Sequence, residues 1–489
     1  MTFTATAPAF DVAAIEQRIA WLRQLTPATA PAMLATVLCD GADEDQLWAA
    51  GVLCSARYLN NQARNLLGFV SHAMIGCQDA RQLATSQPTR TRHLLIIQAL
   101  SQMVYDLFDP CFAPYELVPF WPTREATLAE NISLLRSDVR FGEYMRVDHR
   151  FVALEEDLSQ AEITNLLLDI GLEGVVTDDH TFISPSLCLG MADLIGWEAA
   201  QPLLRWSIRY SASFPRDFQP YDRAVALLES YQLSAGAPGD QIDARPIGHS
   251  VAELRAAFHT SQPCDRPVVA AQALANGISP ASVIAAASLA SADMYLMTDP
   301  VPHMDYDAVS REVAPIHIGT TMNALRAALP LMQPRTRALA AIQAGSLLER
   351  GPSVLDCDFM FIPFTAIQPY PYADDLARHS GQNAETLLEC LHQALFAQDH
   401  RTATAAVRAY ANTNADPEPL IALLTAVACT DNGTLLHNFK HLHAMVEEFR
   451  ACELDDRWPF LIGAARWVAW YAGWQTDVYD RAVATLDAI

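Results

Sequence analysis

The sequence predicts an all-α protein, a large multi-helical domain, and three observations carry that prediction. Apolar residues recur at spacings of three and four, not two, through nearly every long segment, which is the helical period. Alanine and leucine dominate, and no sustained β-alternation is present. The 489 residues are 51% hydrophobic and only 18% charged, with 20 Gly and 29 Pro, which provides a large core and excludes a disordered, collagen-like or low-complexity chain.

The segments justify this in order. MTFTATAPAFDVAAIEQR has no basic region and meets Asp11 before an apolar run could form, so no secretory signal and a cytoplasmic location are expected. From Arg90 to Phe108, the residues His93, Ile96, Ile97, Leu100, Val104 and Leu107 fall on one stripe, after a polar entry with Thr85, Ser86 and Thr89 that suits capping. Asp109 to Pro122, DPCFAPYELVPFWP, combines aromatics with prolines and reads as a packed extended segment. Gly, Pro and Asp cluster in Ser234 to Ser250, SAGAPGDQIDARPIGHS, and the periodicity lapses there. The expected organisation is therefore an N-terminal half over 1–233, a linker over 234–250 and a C-terminal half over 251–489, together forming one compact unit. Pro267 to Met297 is the most apolar long stretch, but Asn276, Gly277, Pro280 and Asp293 interrupt it, so core helices and no membrane span are expected. Pro352 to Tyr372 has the same aromatic and proline-stiffened character as Asp109 to Pro122.

No period of about twenty to fifty residues recurs, which leaves a solenoid unsupported. A looser echo exists. DDHTFISPSLCLGMADLIG from Asp178 and APIHIGTTMNALRAALPLM from Ala314 each place a histidine at the mouth of an apolar helix, one in each half, as two pseudo-duplicated halves would.

Charge and motifs narrow the chemistry. Lys+Arg 32 against Asp+Glu 56 gives a net −24, and so acidic a chain is repelled by phosphate backbones and anionic lipid, so neither nucleic acid nor membrane is an expected partner. The ten cysteines contain no C-x-x-C pair, and reduced, mostly buried thiols are expected. No G-x-G-x-x-G after a strand, no P-loop and no G-x-S-x-G elbow occurs, so no NAD or flavin fingerprint supports a nucleotide cofactor. H-E-x-x-H is also absent, and the E-x-x-H at Glu389 to His392 stands alone, where a ferritin-like di-iron site needs two.

Four of the fourteen histidines sit in apolar or small-residue surroundings. Gly68, His72 and Gly76 are four apart and stack along one helix face. His180 follows Asp178 and Asp179, just ahead of a helix entered at Ser184-Pro185. His317 follows Pro315 near the start of a helix whose apolar face carries Met322, Leu325 and Leu329. His437, Lys440 and His441 take adjoining positions on one helical surface. Taken singly, each reads as a core or capping histidine. Together, His72, His180, His317 and His437 are candidate ligands for iron or another divalent metal, or members of a proton-transfer site. His72, His180 and His317 are expected in one interior site. Asp178, Asp179 and Asp431 are candidate carboxylate partners of these rings, or helix caps. A lysine beside a cation site is disfavoured unless it faces an anion, so Lys440 is assigned to anion stabilisation and His441 to the same catalytic surface. Otherwise Lys440 reaches solvent and His441 lies at the surface.

The stretches LLGFVSHAMIG, DDHTFISPSLCLGMADL, VAPIHIGTTMNALRAALPLM and LLHNFKHLHAM, in this order and spacing, resemble the histidine-bearing segments of the questin oxidase-like proteins. His72 resembles that family's histidine before a small-residue helix, and His180 its histidine leading the helix before an Arg/Trp-containing one. His317 matches the histidine of its I-H-x-x-T-x segment, and His437 with Lys440 its H-x-x-K-[FHL] segment. Two departures are present: ISPSLCLG lacks the second histidine often found beyond the position of His180, and DNGTLL replaces a glycine-aspartate-glutamate lead-in. The resemblance implies a mostly helical oxidoreductase of the monooxygenase type, with Baeyer-Villiger-type or related oxidation of an aromatic or apolar small molecule. The apolar stretches Phe112 to Trp121 and Phe359 to Tyr372 would wall its pocket, and with no nicotinamide or flavin fingerprint any reductant would come from a redox partner protein or bind by a mode these motifs do not mark. The alternatives are a metal-dependent hydrolase or isomerase, and a non-catalytic helical binding or accessory protein.

Overall fold

The computed structural model describes residues 11–61, 70–124, 127–213, 216–240, 246–297, 305–349 and 368–488, with the backbone alone over 305–315. These residues hold 23 α-helices and no strand, so the all-α expectation stands. The chain divides into two compact units, Met1–Gln219 with Asp477–Ile489, and Pro220–Thr476. The sequence reading put its linker at 234–250; residues 241–245 lie outside the described residues.

Local rules explain many helix starts. Asp11 accepts from the N–H groups of Ala13 and Ala14, and Asp43 from that of Gln46. Thr127 with Glu130, and Ser159 with Glu162, form reciprocal capping boxes. Pro31, Pro202, Pro267, Pro334 and Pro459 occupy the first turn, where the missing N–H costs nothing. The helix Thr89–Asp106 corrects the sequence reading. Its N-cap is Pro88, with no side-chain capping bond, and the Thr85 hydroxyl turns back to the Gln82 carbonyl.

In the first unit, the helix His180–Ile195 packs against Gln160–Gly174, Gln201–Ser211 and His72–Ala84. Gly171 permits the first of these contacts. A Cβ there would lie 2.7 Å from the Thr181 carbonyl oxygen and 3.1 Å from Phe182 Cα, so the two backbones touch where any side chain would intrude. The Thr181 hydroxyl donates to the Gly171 carbonyl at 2.9 Å, which ties the start of one helix to the last turn of the other. The last helix, Asp477–Leu486, belongs to this unit and packs on Ala30–Cys39.

The second unit centres on Pro280–Met297. It is long and apolar enough to cross a membrane by length and composition, but 83% of it is buried inside the protein. Its neighbours include Gly248–Thr260, Asp305–Ala328, Pro334–Leu347 and Pro459–Tyr471. Asp293, inside this apolar helix, is paired bidentately with Arg255 at 2.6 and 2.7 Å, which offsets burial of its charge. The helix His437–Ala451 packs on Asp305–Ala328 and Pro459–Tyr471.

None of the cysteines among the described residues forms a disulfide. Cys54, Cys77, Cys188 and Cys429 are buried, and burial pushes each thiol well above its ordinary range, which keeps them protonated and inert.

Candidate metal centre

Two histidine pairs form, one in each unit. In the first, His72 opens the helix His72–Ala84 and His180 opens His180–Ile195, and their Nε2 atoms lie 3.2 Å apart with the rings edge to face. The sequence placed the second helix entry at Ser184-Pro185. It starts instead at His180, because Asp178 Oδ1 accepts from the His180 N–H and the Asp178 and Asp179 carbonyls accept from Thr181, Phe182 and Ile183. Pro185 falls inside the helix, past its first turn, where it removes one i→i−4 hydrogen bond. Gly68, expected one turn before His72, lies outside the described residues.

Asp178 sets the orientation of His180. Its Oδ1 lies 3.3 Å from His180 Nδ1, while Oδ2 accepts from the Tyr210 hydroxyl at 2.9 Å and from Arg216 at 2.8 and 3.1 Å. Burial works to raise this carboxyl. The hydrogen bond from His180 and the charge of Arg216 outweigh it and hold Asp178 below the usual carboxylate range. A carboxylate at Nδ1 assigns the proton to that nitrogen, which makes Nε2 the lone-pair atom facing His72. Asp179 Oδ1 stands 3.8 Å from the same Nδ1. At His72 the helix entry is braced differently. The Ser71 hydroxyl makes no capping bond; it donates to the buried Asp106 at 2.5 Å, and burial pushes the Asp106 carboxyl up to about 7.

In the second unit, the His317 and His437 rings lie 5.0 Å apart, edge to face, with a ring nitrogen of each within 4.8 Å of the other. His317 is in the middle of Asp305–Ala328, not near a helix start, so the echo that put a histidine at each helix mouth does not hold there. Pro315 misled the reading, since proline marks a first turn more often than an interior. His437 is the first residue of its helix, and its Nδ1 lies 2.7 Å from the Thr434 carbonyl, again leaving Nε2 as the lone-pair atom. Asp431 accepts from the Gly433 and Thr434 N–H groups and the Thr434 hydroxyl, so it shapes the loop that supplies that carbonyl. Burial raises the Asp431 carboxyl to about 6. Leu435 and Leu436, at φ 52° and 68°, are both left-handed, a backbone state costing of order 1 to 3 kcal/mol for such residues and concentrated at functional sites.

Lys440 and His441 are both buried, at 2% exposure each, so neither the solvent-reaching lysine nor the surface histidine is found. Both His441 ring nitrogens lack a hydrogen bond of good geometry, and the ring packs edge-on against Tyr295 and Trp467. Burial drives its imidazole down to about 3, against a small opposing effect of the Gly463 backbone, and the ring is therefore neutral.

The apolar stretches take different places. Phe120 and Tyr115 lie over the buried guanidinium groups of Arg205 and Arg209, at 5.1 and 4.9 Å, and Trp121 is 84% exposed. Arg205 is bidentate to Asp148 at 2.7 and 2.9 Å. The sequence reading missed this arginine pair, although Arg205 and Arg209 stand four apart in LLRWSIRY. Of Phe359 to Tyr372, residues 359–367 lie outside the described residues; Tyr370 and Tyr372 stack at 4.5 Å.

Adjacent ligands at about 2.0 to 2.1 Å from one divalent ion in tetrahedral or octahedral geometry stand roughly 2.8 to 3.4 Å apart. The 3.2 Å separation of the His72 and His180 nitrogens fits that spacing, and a carboxylate behind His180 is the partner that metal-bound imidazoles need. The same contact can also be a hydrogen bond from His72 Nε2–H to His180, making an Asp178–His180–His72 proton path. Compared with protein-family models, curated proteins and solved structures, the chain matches none.

Proposed function

We propose that this chain is a questin oxidase-like oxidoreductase, which oxidises an apolar or aromatic small molecule with the help of a divalent metal held by imidazoles. The observation that carries the reading is the His72–His180 pair: two nitrogens at 3.2 Å, with the lone pair of His180 aimed by Asp178. His317 and His437 offer a second pair of the same chemistry, with the His437 tautomer set by Thr434. Bound there, iron would supply oxygen activation, and imidazole nitrogen suits iron, zinc and copper alike. The protein's part is to hold the rings in the ligating tautomer, to exclude bulk water by burial and to place Lys440 near developing negative charge. Electrons would come from a redox partner protein, since no nicotinamide or flavin fingerprint occurs in the sequence.

The test is elemental analysis of protein purified without a metal-affinity tag, followed by oxygen uptake with hydroxylated aromatic substrates. Near-stoichiometric iron, lost in His180→Ala and His437→Ala, with uptake dependent on substrate and reductant, is expected. Metal-dependent turnover without oxygen would instead make it a hydrolase or isomerase. Metal-free protein with unchanged stability in all four histidine variants would remove the reading.

A further inference from the structure

In the second unit, three aromatic side chains run from the interior to the surface. Trp467 is fully buried inside Pro459–Tyr471, with the His441 ring 5.8 Å from it, edge on. Tyr471, one helical turn on and 4% exposed, has its ring 4.5 Å from Trp467. Trp474 follows at 5.5 Å from Tyr471 and is 42% exposed. These centroid distances all lie in the range of direct ring contact.

The outer end is held in place. Gly473 takes a left-handed φ of 66° that turns the chain past the helix end, its N–H donates to the Thr430 hydroxyl at 3.1 Å, and the Asn432 N–H donates to the Gln475 carbonyl at 2.9 Å. Trp474 lies against Gly433, where a Cβ would come within 3.0 Å of its Cε3. At the inner end, Trp467 Nε1 is buried and makes no hydrogen bond. An indole that has lost an electron becomes far more acidic than the neutral ring, and without an acceptor its proton stays, so the charge moves on and is not trapped as a neutral radical. His441, four residues after His437 on one helix, connects this end to the helix that carries His437 of the second histidine pair.

We propose that Trp467, Tyr471 and Trp474 form a relay that carries single oxidising equivalents from the protein interior to its surface. An oxygen-derived one-electron oxidant in the interior takes an electron from Trp467; Trp467 takes one from Tyr471, and Tyr471 from Trp474. A small reductant in solvent, a thiol or ascorbate, then gives one electron to Trp474 and is itself oxidised by one. Tyr471, 4% exposed, releases its phenolic proton to water when oxidised and takes one back from water when reduced, so electrons and protons both balance and the relay returns to its starting state. Its use as protection against oxidative damage rests on the oxidative reading above; its conduction does not.

Conduction is tested on full-length protein stripped of metal by chelator, with a flash-generated ruthenium(III) trisbipyridine oxidant and detection by transient absorption and electron paramagnetic resonance. Oxidation at the exposed tryptophan end should be followed by a tyrosyl radical. Tyr471→Phe should abolish that tyrosyl component, and Trp474→Leu should cut its yield several-fold. Trp121→Leu, which removes an 84% exposed tryptophan outside the relay, should leave it unchanged. Trp474→Phe serves if the leucine variant does not fold. Equal tyrosyl yields in the wild type, Tyr471→Phe and the Trp474 variant would overturn the relay. Since the protein is metal-free throughout, that result would leave the metal reading untouched, and a failed metal analysis would leave the relay untouched.

Discussion

Asp178 and His441 show how one neighbour decides what an imidazole can do. Asp178 fixes the His180 tautomer through a carboxylate that Arg216 and Tyr210 hold in place. Asp178→Asn keeps the shape and removes the charge, so metal affinity measured by competition with a chromophoric chelator is expected to fall about 10- to 100-fold. At His441 burial dominates and takes the imidazole pKa from 6.5 down to about 3. The unfolded chain therefore binds a proton here below about pH 6.5 that the folded chain refuses, and stability falls on acidification by up to about 1.4 kcal/mol per pH unit until about pH 3. Urea midpoints between about pH 7 and pH 4 should lose this slope in His441→Phe. That His72, His317 and His437 lie on helices was legible in the sequence, whereas His180 was expected just ahead of the helix that it opens. Asp178, two residues before His180, was legible as a partner; Arg216 and Tyr210 are held against Asp178 by folding, and no spacing rule connects them.

Whole elements were legible wherever the signal was local. The capping boxes at Thr127 and Ser159 and the first-turn prolines mark starts that the chain obeys. Pro185 and Pro315 carry the same signal but lie inside helices, since packing and the Asp178 turn override a single residue's preference. Gly171 is an element-scale device, because it sets how closely Gln160–Gly174 meets His180–Ile195. Gly171→Ala is expected to destabilise by about 1 to 3 kcal/mol in chemical denaturation, by forcing apart two backbones that cannot yield. The strained turn before His437 predicts the opposite sign. Leu435 is 44% exposed at φ 52°, so Leu435→Gly should raise stability by about 1 kcal/mol or less, as relief of the left-handed strain exceeds the entropy cost of glycine. A lower denaturation midpoint in that variant would mean the turn is not strained.

For the molecule as a whole, a metal held at the proposed site would link binding to folding. A ligand that binds only the folded state stabilises by about 2.7 kcal/mol at a hundredfold excess over its dissociation constant, so chelation should lower Tm by several degrees and added iron should restore it. Calorimetry checks this, and no change on chelation would argue that the histidine pairs are hydrogen-bonded.

The sequence alone determined the helical class, because 3.6-residue periodicity and capping act over a few residues and need no partner. It also determined that His72, His180, His317 and His437 sit among apolar or small residues, since that too is a local pattern. Only the tertiary structure decided that His72 meets His180 and that His317 meets His437. Only it decided that Lys440 and His441 turn inward and that Trp467, Tyr471 and Trp474 form a line to the surface. Those outcomes depend on which helix face meets which, a property of the close packing of side chains far apart along the chain.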